Sequence, residues 1–296
     1  MRANGRNSDS ENIITNLFFL VFSILCLIPF LTVVSISLSN ETDIAFNGYR
    51  LIPEKIDLLA YQYILNSPEQ LLQSYFISIN TTVVGTLASV IIMALAAYPL
   101  TRPDFKYKRF ISFYYFFTML FSGGLVPFYI LITQYLQWDD TWWVLWVPSL
   151  VSAWYIFMLR TFIKGLPDSI FESAKIDGAS EFRIFFALVM PLSRAALATV
   201  AFYGVLGRWN DWFTSLLFIS NQKLIPVQYL LYRIMSNIDF ITQMQNNRVT
   251  VLDNIRLPGE TARMAMCVLA AGPVLFAFPF FQKYFVKGMT IGSVKG

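Results

Sequence analysis

The chain has 296 residues, of which 56% are hydrophobic and 14% charged, against roughly a quarter charged in an ordinary soluble domain. With 28 Phe, 15 Tyr and 7 Trp it carries more apolar surface than one water-facing core hides, so lipid must solvate much of it. There is no His, which excludes histidine metal sites, Ser-His-Asp triads and histidine proton relays, and a net charge of +4 does not mark a nucleic-acid partner.

A spanning helix needs about 20 mostly apolar residues. Stretches free of Asp, Glu, Lys and Arg run from Asn12 to Asn40, Gln70 to Thr101, Phe110 to Trp138, Thr141 to Leu159 and Met264 to Gln282. A sixth begins at Ala195, meets Arg208 and Asp211, and resumes at Trp212. The pattern predicts helices over residues 13–38, 72–100, 110–134, 142–163, 193–219 and 262–282, inside a membrane domain of residues 13–292. Residues 1–12 and 283–296 are then terminal tails, 164–192 an inner loop and 220–261 an outer loop. The first apolar run is longer than the 7 to 15 residues usual for a cleaved signal, which favours an anchor. Cys26 and Cys267 lie in apolar runs and read as packing residues, with no disulfide framework.

Charge orients the bundle. With the amino end inside and six crossings, the inner segments hold Arg2 and Arg6, then Arg102, Lys106, Lys108 and Arg109, then Arg160, Lys164, Lys175, Arg183 and Arg194, and finally Lys283, Lys287 and Lys295. The first outer loop sets Glu41, Asp43, Glu54, Asp57 and Glu69 against Arg50 and Lys55. Six helices with both termini in the cytoplasm fit this asymmetry, and five do not, because they put the three-lysine tail outside. Arg208 and Asp211 then fall on one face of the fifth helix near its outer end, placed to pair or to face a protein-lined cavity.

The inner loop carries local signals. Ser169 with Glu172 three residues on predicts a capping box, and Gly178 suits the left-handed residue that ends a helix. Phe182, Phe185, Phe186 and Val189 follow with helical spacing until Pro191 is expected to break the segment. Such a short, mixed-charge helix reads as a protein-docking element, the alternative being a segment lying in the lipid interface.

The pattern Glu172-Ser173-Ala174, three residues, Gly178, nine residues, Leu188, then Met190-Pro191 resembles the EAA loop of ATP-binding-cassette importer membrane subunits. Phe162 to Pro167, the triplet Trp209-Asn210-Asp211 and the ending Gln282 to Gly296 are similar to the carbohydrate branch, of the maltose-transporter G type. Leu120 to Pro127 looks like the YtcP and LplC type, associated with complex, often uronate-containing oligosaccharides. Ser173, Leu188 and Met190 depart mildly from the family pattern. The resemblance implies an all-α integral membrane protein with the six-helix type I importer permease fold, multi-pass in a prokaryotic cell membrane. It also implies coupling to the ATPase through Glu172, Ser173, Ala174, Ile176, Asp177, Gly178 and Pro191, with the carboxy-terminal tail as a second contact and the outer loop meeting a solute-binding protein. The implied partners are a second homologous permease, two ATP-binding subunits, an extracytoplasmic binding protein, an oligosaccharide and the lipid bilayer.

The chain lacks the G-x-x-x-x-G-K-[ST] phosphate loop, so ATP and magnesium belong to partner subunits, and no cofactor, metal site or catalytic residue is expected here. Sugar recognition combines aromatic faces with amides and hydroxyls. Candidates are Asn80 and Thr81 in the second helix and Trp209, Asn210 and Trp212 in the fifth. Interfacial anchoring of Trp and interhelical bonding of Asn compete with that role. Arg208, Arg233, Arg248, Arg256 and Arg263 either attract an acidic sugar or pair with Asp211, Asp239, Asp253 and Glu260. An ion-gradient-driven secondary carrier is the competing function, although it calls for mid-membrane ionisable residues and internal repeats, of which only Arg208 and Asp211 are visible.

Overall fold

The computed structural model describes residues 5–66, 68–246 and 259–292, the side chains of 5–12, 14, 245, 246, 277, 280 and 283–292 excepted. In chain order its helices are α1 (Gly5–Ser37), α2 (Glu41–Asn47), α3 (Leu59–Ile64), α4 (Pro68–Ala97), α5 (Lys108–Leu120), α6 (Leu125–Ile130), α7 (Trp142–Trp146), α8 (Ala153–Lys164), α9 (Asp168–Ile176), α10 (Glu181–Ile184), α11 (Met190–Leu192), α12 (Arg194–Trp209), α13 (Phe213–Phe218), α14 (Val227–Asn246) and α15 (Glu260–Gly292). Two compact units form, Met1–Pro68 with Leu231–Gly272, and Glu69–Leu230 with Pro273–Gly296.

Two helical segments, Thr15–Ser37 and Pro68–Thr101, are long and apolar enough to cross a membrane unbroken. Three more spans arise only if each bent pair counts as one: Lys108–Leu120 with Leu125–Leu136 at 113°, Trp142–Ser149 with Ala153–Lys164 at 47°, and Glu181–Leu192 with Arg194–Trp209 at 79°. The continuous helices expected over 110–134, 142–163 and 193–219 are therefore each interrupted. Ser122-Gly123-Gly124 opens the first break, with Gly124 at φ +86°, and the Ser122 hydroxyl accepts the Gly124 N–H at 3.2 Å. Pro148 precedes the second, and α12 stops at Trp209 before α13 begins at Phe213. At the other end α15 is longer than the predicted 262–282 and passes through Pro273 and Pro279, which membrane helices tolerate.

Along the middle of α4 the second unit turns small and hydroxyl residues inward and large apolar ones outward, as membrane helices do. Pro68 and Glu69 start α4, where the missing N–H and the negative charge both suit a helix amino end. Its buried face includes Ser74, Ser78, Thr82, Gly85, Thr86 and Ser89 beside Leu71, Ile77 and Met93, whereas Leu72, Phe76, Ile79, Val83 and Leu87 are exposed. Small residues let helix backbones approach in a medium where burying Leu gains little over lipid.

Breaks free backbone carbonyls, which lipid cannot satisfy, and side chains answer here. The Ser89 hydroxyl donates to the Leu150 carbonyl at 2.7 Å, and Arg208 Nη2 donates to the Ser149 carbonyl at 2.7 Å. An inner core gathers Met93, Ala97, Ile156, Leu159, Ile163, Phe171, Ile184, Phe185, Val189 and Val200. A separate outer cluster holds Ile77, Ile132, Val144, Phe218, Ile225 and Tyr229.

In the first unit, the amino end of α15 is capped by Glu41. Its carboxylate accepts the N–H groups of Glu260 at 2.9 Å and Thr261 at 3.0 Å, and the Thr261 hydroxyl at 2.7 Å. Arg263 binds Asp239 and Glu260, each at 2.7 Å, so this part of the outer arginine set is paired within the chain. Arg248, Arg256 and Asp253 lie outside the described residues.

Candidate functional site

The inner loop forms a helix where the spacing places one, but it starts differently. Pro167, in extended conformation, is the N-cap of α9, and no side chain caps it. Ser169 sits inside the first turn, so the expected capping box does not form. Proline fixes the turn two residues early, and Asp168 supplies the negative charge that favours a helix start. The other end follows the prediction closely. Ala179 N–H bonds the Ala174 carbonyl and Gly178 N–H bonds that of Lys175, both at 3.0 Å, with Gly178 at φ +75°. These two bonds and the left-handed glycine make a Schellman stop.

This nine-residue helix has two unlike faces. Phe171 and Ala174 are buried in the inner core. Glu172, Ser173, Ile176, Asp177 and Gly178 face outward, and Ile176 is 86% exposed. Ile176 is thus the single apolar side chain on an otherwise polar and glycine-ended outward face. Beyond it, Ser180 accepts the Arg183 N–H at 3.4 Å and caps α10. The aromatic stripe then divides, because residues 185–189 take a wider π turn: Phe185 and Val189 are buried, Phe182 and Phe186 exposed. Pro191 does not end the helical run. It occupies the first turn of α11, where no N–H is needed, and the chain bends at Ser193.

What fixes α9 in place was not foreseen from the sequence. The Arg102 guanidinium lies 3.7 Å from the Phe171 ring centroid and 5.1 Å from that of Tyr98. Lys175 Nζ bridges Asp104 at 3.4 Å and Glu181 at 3.3 Å, and Glu181 accepts the Tyr98 hydroxyl at 2.5 Å. Glu181 and Arg183 open α10 as exposed charges, within the loop expected over 164–192 and ahead of the apolar run. Hydrogen bonds from Tyr98 and Lys175 hold the Glu181 carboxyl below its ordinary pKa, and bonds to Glu181 and Asp104 raise the Lys175 ammonium above its own. The loop after α4 is thereby tied to α9 and α10 together.

The second group surrounds the gap between α12 and α13. Trp209 is 5% exposed and lies 6.4 Å, centroid to centroid, from Tyr75 of α4. Asn210 is exposed, donates to the Leu206 carbonyl at 2.8 Å and accepts from Gln228 at 3.4 Å. Trp212 is 37% exposed and meets Phe213 edge-on at 5.7 Å. Asn80 is half-buried, and its side-chain oxygen has no hydrogen-bond partner among the described residues. The Thr81 hydroxyl turns back onto its own helix, to Ile77 and Ser78 carbonyls at 2.9 and 3.1 Å. Tyr75 and Gln228 join this group without any sequence signal. Arg208 and Asp211 do not share a helix face: Arg208 reaches to Ser149, while Asp211 sits in the break and accepts the Thr214 N–H at 3.0 Å.

Residues 85–291 match the family described as "Binding-protein-dependent transport system inner membrane component". The chain belongs to that family. The match takes in the inner loop and the broken segment around Trp209, and begins after Tyr75, Asn80 and Thr81. Among curated relatives, the polygalacturonan/rhamnogalacturonan transport system permease protein YtcP of Bacillus subtilis is 36% identical, covering 94% of this chain and 96% of that one. Protein LplC of the same organism is 34% identical over 91% and 90%. A crystal structure of a bacterial ABC transporter involved in the import of the acidic polysaccharide alginate superposes with a TM-score of 0.77 at 26% identity, covering 96% of this chain and all of that one. This family member is thus a multi-pass inner-membrane transport component and not an enzyme, with the type I importer permease fold and ATPase and binding-protein partners of the general importer kind. Nothing in these likenesses supports a gradient-driven carrier.

Proposed function

We propose that this chain is one half of the translocation pathway of an ATP-driven importer of acidic oligosaccharides. In this reading six helices cross the membrane with both termini in the cytoplasm. A second homologous permease completes the pathway, two ATP-binding subunits hold ATP and magnesium, and an extracytoplasmic binding protein delivers substrate. The tail from Gln282 to Gly296 makes a second contact with the ATPase pair.

The observation that carries the coupling role is the two-faced α9. Phe171 and Ala174 root it in the inner core, while Ile176, 86% exposed, stands beside Glu172, Ser173 and Asp177 next to a left-handed Gly178. Such a helix is fixed to the bundle on one side and offers a knob for a cleft on the other, so movement of the ATPase pair reaches the spanning segments through it. Alternating access then follows as a switch between two packings. Pro191 acts by shaping the exit from the loop, not by contact. The substrate class rests on the relatives: one is named for polygalacturonan and rhamnogalacturonan and one solved neighbour for alginate. Trp209, Asn210, Trp212 and Asn80 supply stacking faces and amides toward that substrate, with Thr81 supporting the helix that bears Asn80.

The test is uptake of labelled oligogalacturonate into proteoliposomes holding the whole complex, with the binding protein outside and ATP inside. ATP-dependent uptake is expected, and Ile176→Asp should lower it by about tenfold or more, because a charge is forced into a docked apolar contact. Uptake that runs on an ion gradient without ATP, or is unchanged in Ile176→Asp, overturns the reading.

A further inference from the structure

We infer that Arg208 is the group that recognises substrate carboxylates within the pathway, a deepening that rests on the acidic-oligosaccharide reading above. Its side chain lies against Gly85, where a Cβ would come within 2.4 Å of the Arg208 Nε. Gly85 is near the middle of the apolar span Pro68–Thr101, so the guanidinium lies about halfway along that span, deeper than the outer end of the fifth helix where the sequence placed it. An ionisable group there is costly and marks a pathway or relay far more often than a packing choice.

The slot is built to admit the charge. Gly85 leaves room on α4, and Gly204 on α12 lies where a Cβ would come 3.8 Å from Arg208 Nη1. Nη2 is spent on the Ser149 carbonyl at 2.7 Å. Nε, however, is buried with no acceptor among the described residues. The nearest acid in sequence, Asp211, turns its oxygen to the Thr214 N–H and forms no ion pair with Arg208 among those described. A guanidinium presents its donors as a planar fork matched to a carboxylate; Nε is closed off against Gly85 in this packing, so a uronate meets the outer edge formed by the two Nη groups.

The position suits a sugar chain entering from outside. Tyr75, which pairs with Trp209, is ten residues before Gly85 on α4, about 15 Å along the helix axis. The aromatic and amide group at the α12–α13 gap is therefore met first and the arginine next, one spacing deeper. Neutral stacking holds the ring, and the cation reads the acid.

Arg208 also has a structural duty, the bond to Ser149, so the experiment must separate the two. Uptake by the whole reconstituted complex is measured for short oligogalacturonates and for the same oligomers with carboxyls reduced to alcohols, in native, Arg208→Gln and Arg208→Lys forms. Arg208→Gln ends at the position of Nε and gives up the Nη2 bond to Ser149 together with the charge, so the contrast between the two oligomers, and not the absolute loss, carries the reading. This variant is expected to raise the KM for the acidic oligomer about tenfold or more, the scale of a lost charged hydrogen bond, and to shift the reduced oligomer by less than about twofold. Arg208→Lys should fall between, charge kept and fork lost; if Arg208→Gln does not assemble, the same acid-selective shift is read from Arg208→Lys. Equal loss on both oligomers, or no loss on either, overturns the inference and leaves the importer reading intact. If the native complex imports neither oligomer with ATP, the importer reading itself fails and the inference with it.

Discussion

The Arg102 guanidinium lies over the Phe171 ring, 3.7 Å from its centroid, joining the loop that follows α4 to the buried side of α9. Cation–π contact of this kind is worth about 0.5–2 kcal/mol depending on desolvation, and the ring itself is 4% exposed. Truncation by Phe171→Ala should destabilise the inner core by about 3–5 kcal/mol. Phe171→Leu keeps most of the apolar volume and removes the aromatic face. Detergent-solubilised melts should show a large drop for Ala and a small one for Leu. ATPase stimulation by loaded binding protein should fall in both, and retention of full stimulation in Phe171→Leu would show that the stacked cation is dispensable.

Gly178 has a left-handed backbone and open space around its Cα position. The penalty for a substitution is therefore conformational, about 1–2 kcal/mol for ordinary L-residues and less for Asn. Gly178→Val should reduce binding-protein-stimulated hydrolysis strongly while the complex still assembles, and Gly178→Asn should retain most of it. Equal damage from both points to contact with the ATPase surface as the stronger constraint.

Glu181 links Tyr98 and Lys175, and its carboxyl is held below the ordinary pKa. A depressed folded-state value means stabilisation present above the unfolded pKa, near 4.3, and lost as pH falls through the lower folded value. Glu181→Gln should therefore melt below the native protein at neutral pH, with the gap closing below about pH 4. The raised Lys175 works in the opposite direction, contributing below its unfolded pKa near 10.4 and losing that contribution only as pH rises past its folded value. Between those limits added salt should weaken the network, since its charges are exposed.

Gly85→Ala drives a Cβ to 2.4 Å from Arg208 Nε, and overpacking of this kind costs about 1–3 kcal/mol. Shortening the arginine removes the clash. The double variant Gly85→Ala with Arg208→Ala should be distinctly more stable than the sum of the two single losses, a coupling measurable by a thermal double-mutant cycle. Additive losses contradict the contact.

Glu41 accepts three hydrogen bonds from the start of α15. Glu41→Ala leaves those donors open, and caps of this type contribute about 0.5–2 kcal/mol. Glu41→Gln keeps the shape and loses the charge that favours a helix amino end. Amide exchange at Glu260 and Thr261 should accelerate most in Glu41→Ala, by less in Glu41→Gln, with α9 unaffected.

Features carried by one short stretch of chain were readable in advance. Apolar length located the spanning material, and Gly178 located the end of α9, because a left-handed stop is written in a single residue. Breaks were harder. Phe121 to Gly124 and Leu150 to Ser152 contain no charge, so hydropathy passes through them, and the bend depends on partners such as Ser89 and Arg208 that take up freed carbonyls from other helices. The Ser169 cap failed because Pro167 started the helix first, a competition between neighbours that residue type alone does not rank. Arg102 and Phe171 were invisible as a pair. Their contact closes a loop of about seventy residues, and nothing local to either one specifies the other.

A helix of nine residues is about 13 Å of hydrogen-bonded rod, too short to bow under load. In the proposed coupling, a displacement at Ile176 would reach Phe171 through that rod, and from it Arg102 in the loop after α4. The interruptions bent by 113°, 47° and 79° lack a continuous hydrogen-bond ladder, and bending concentrates where the ladder is broken.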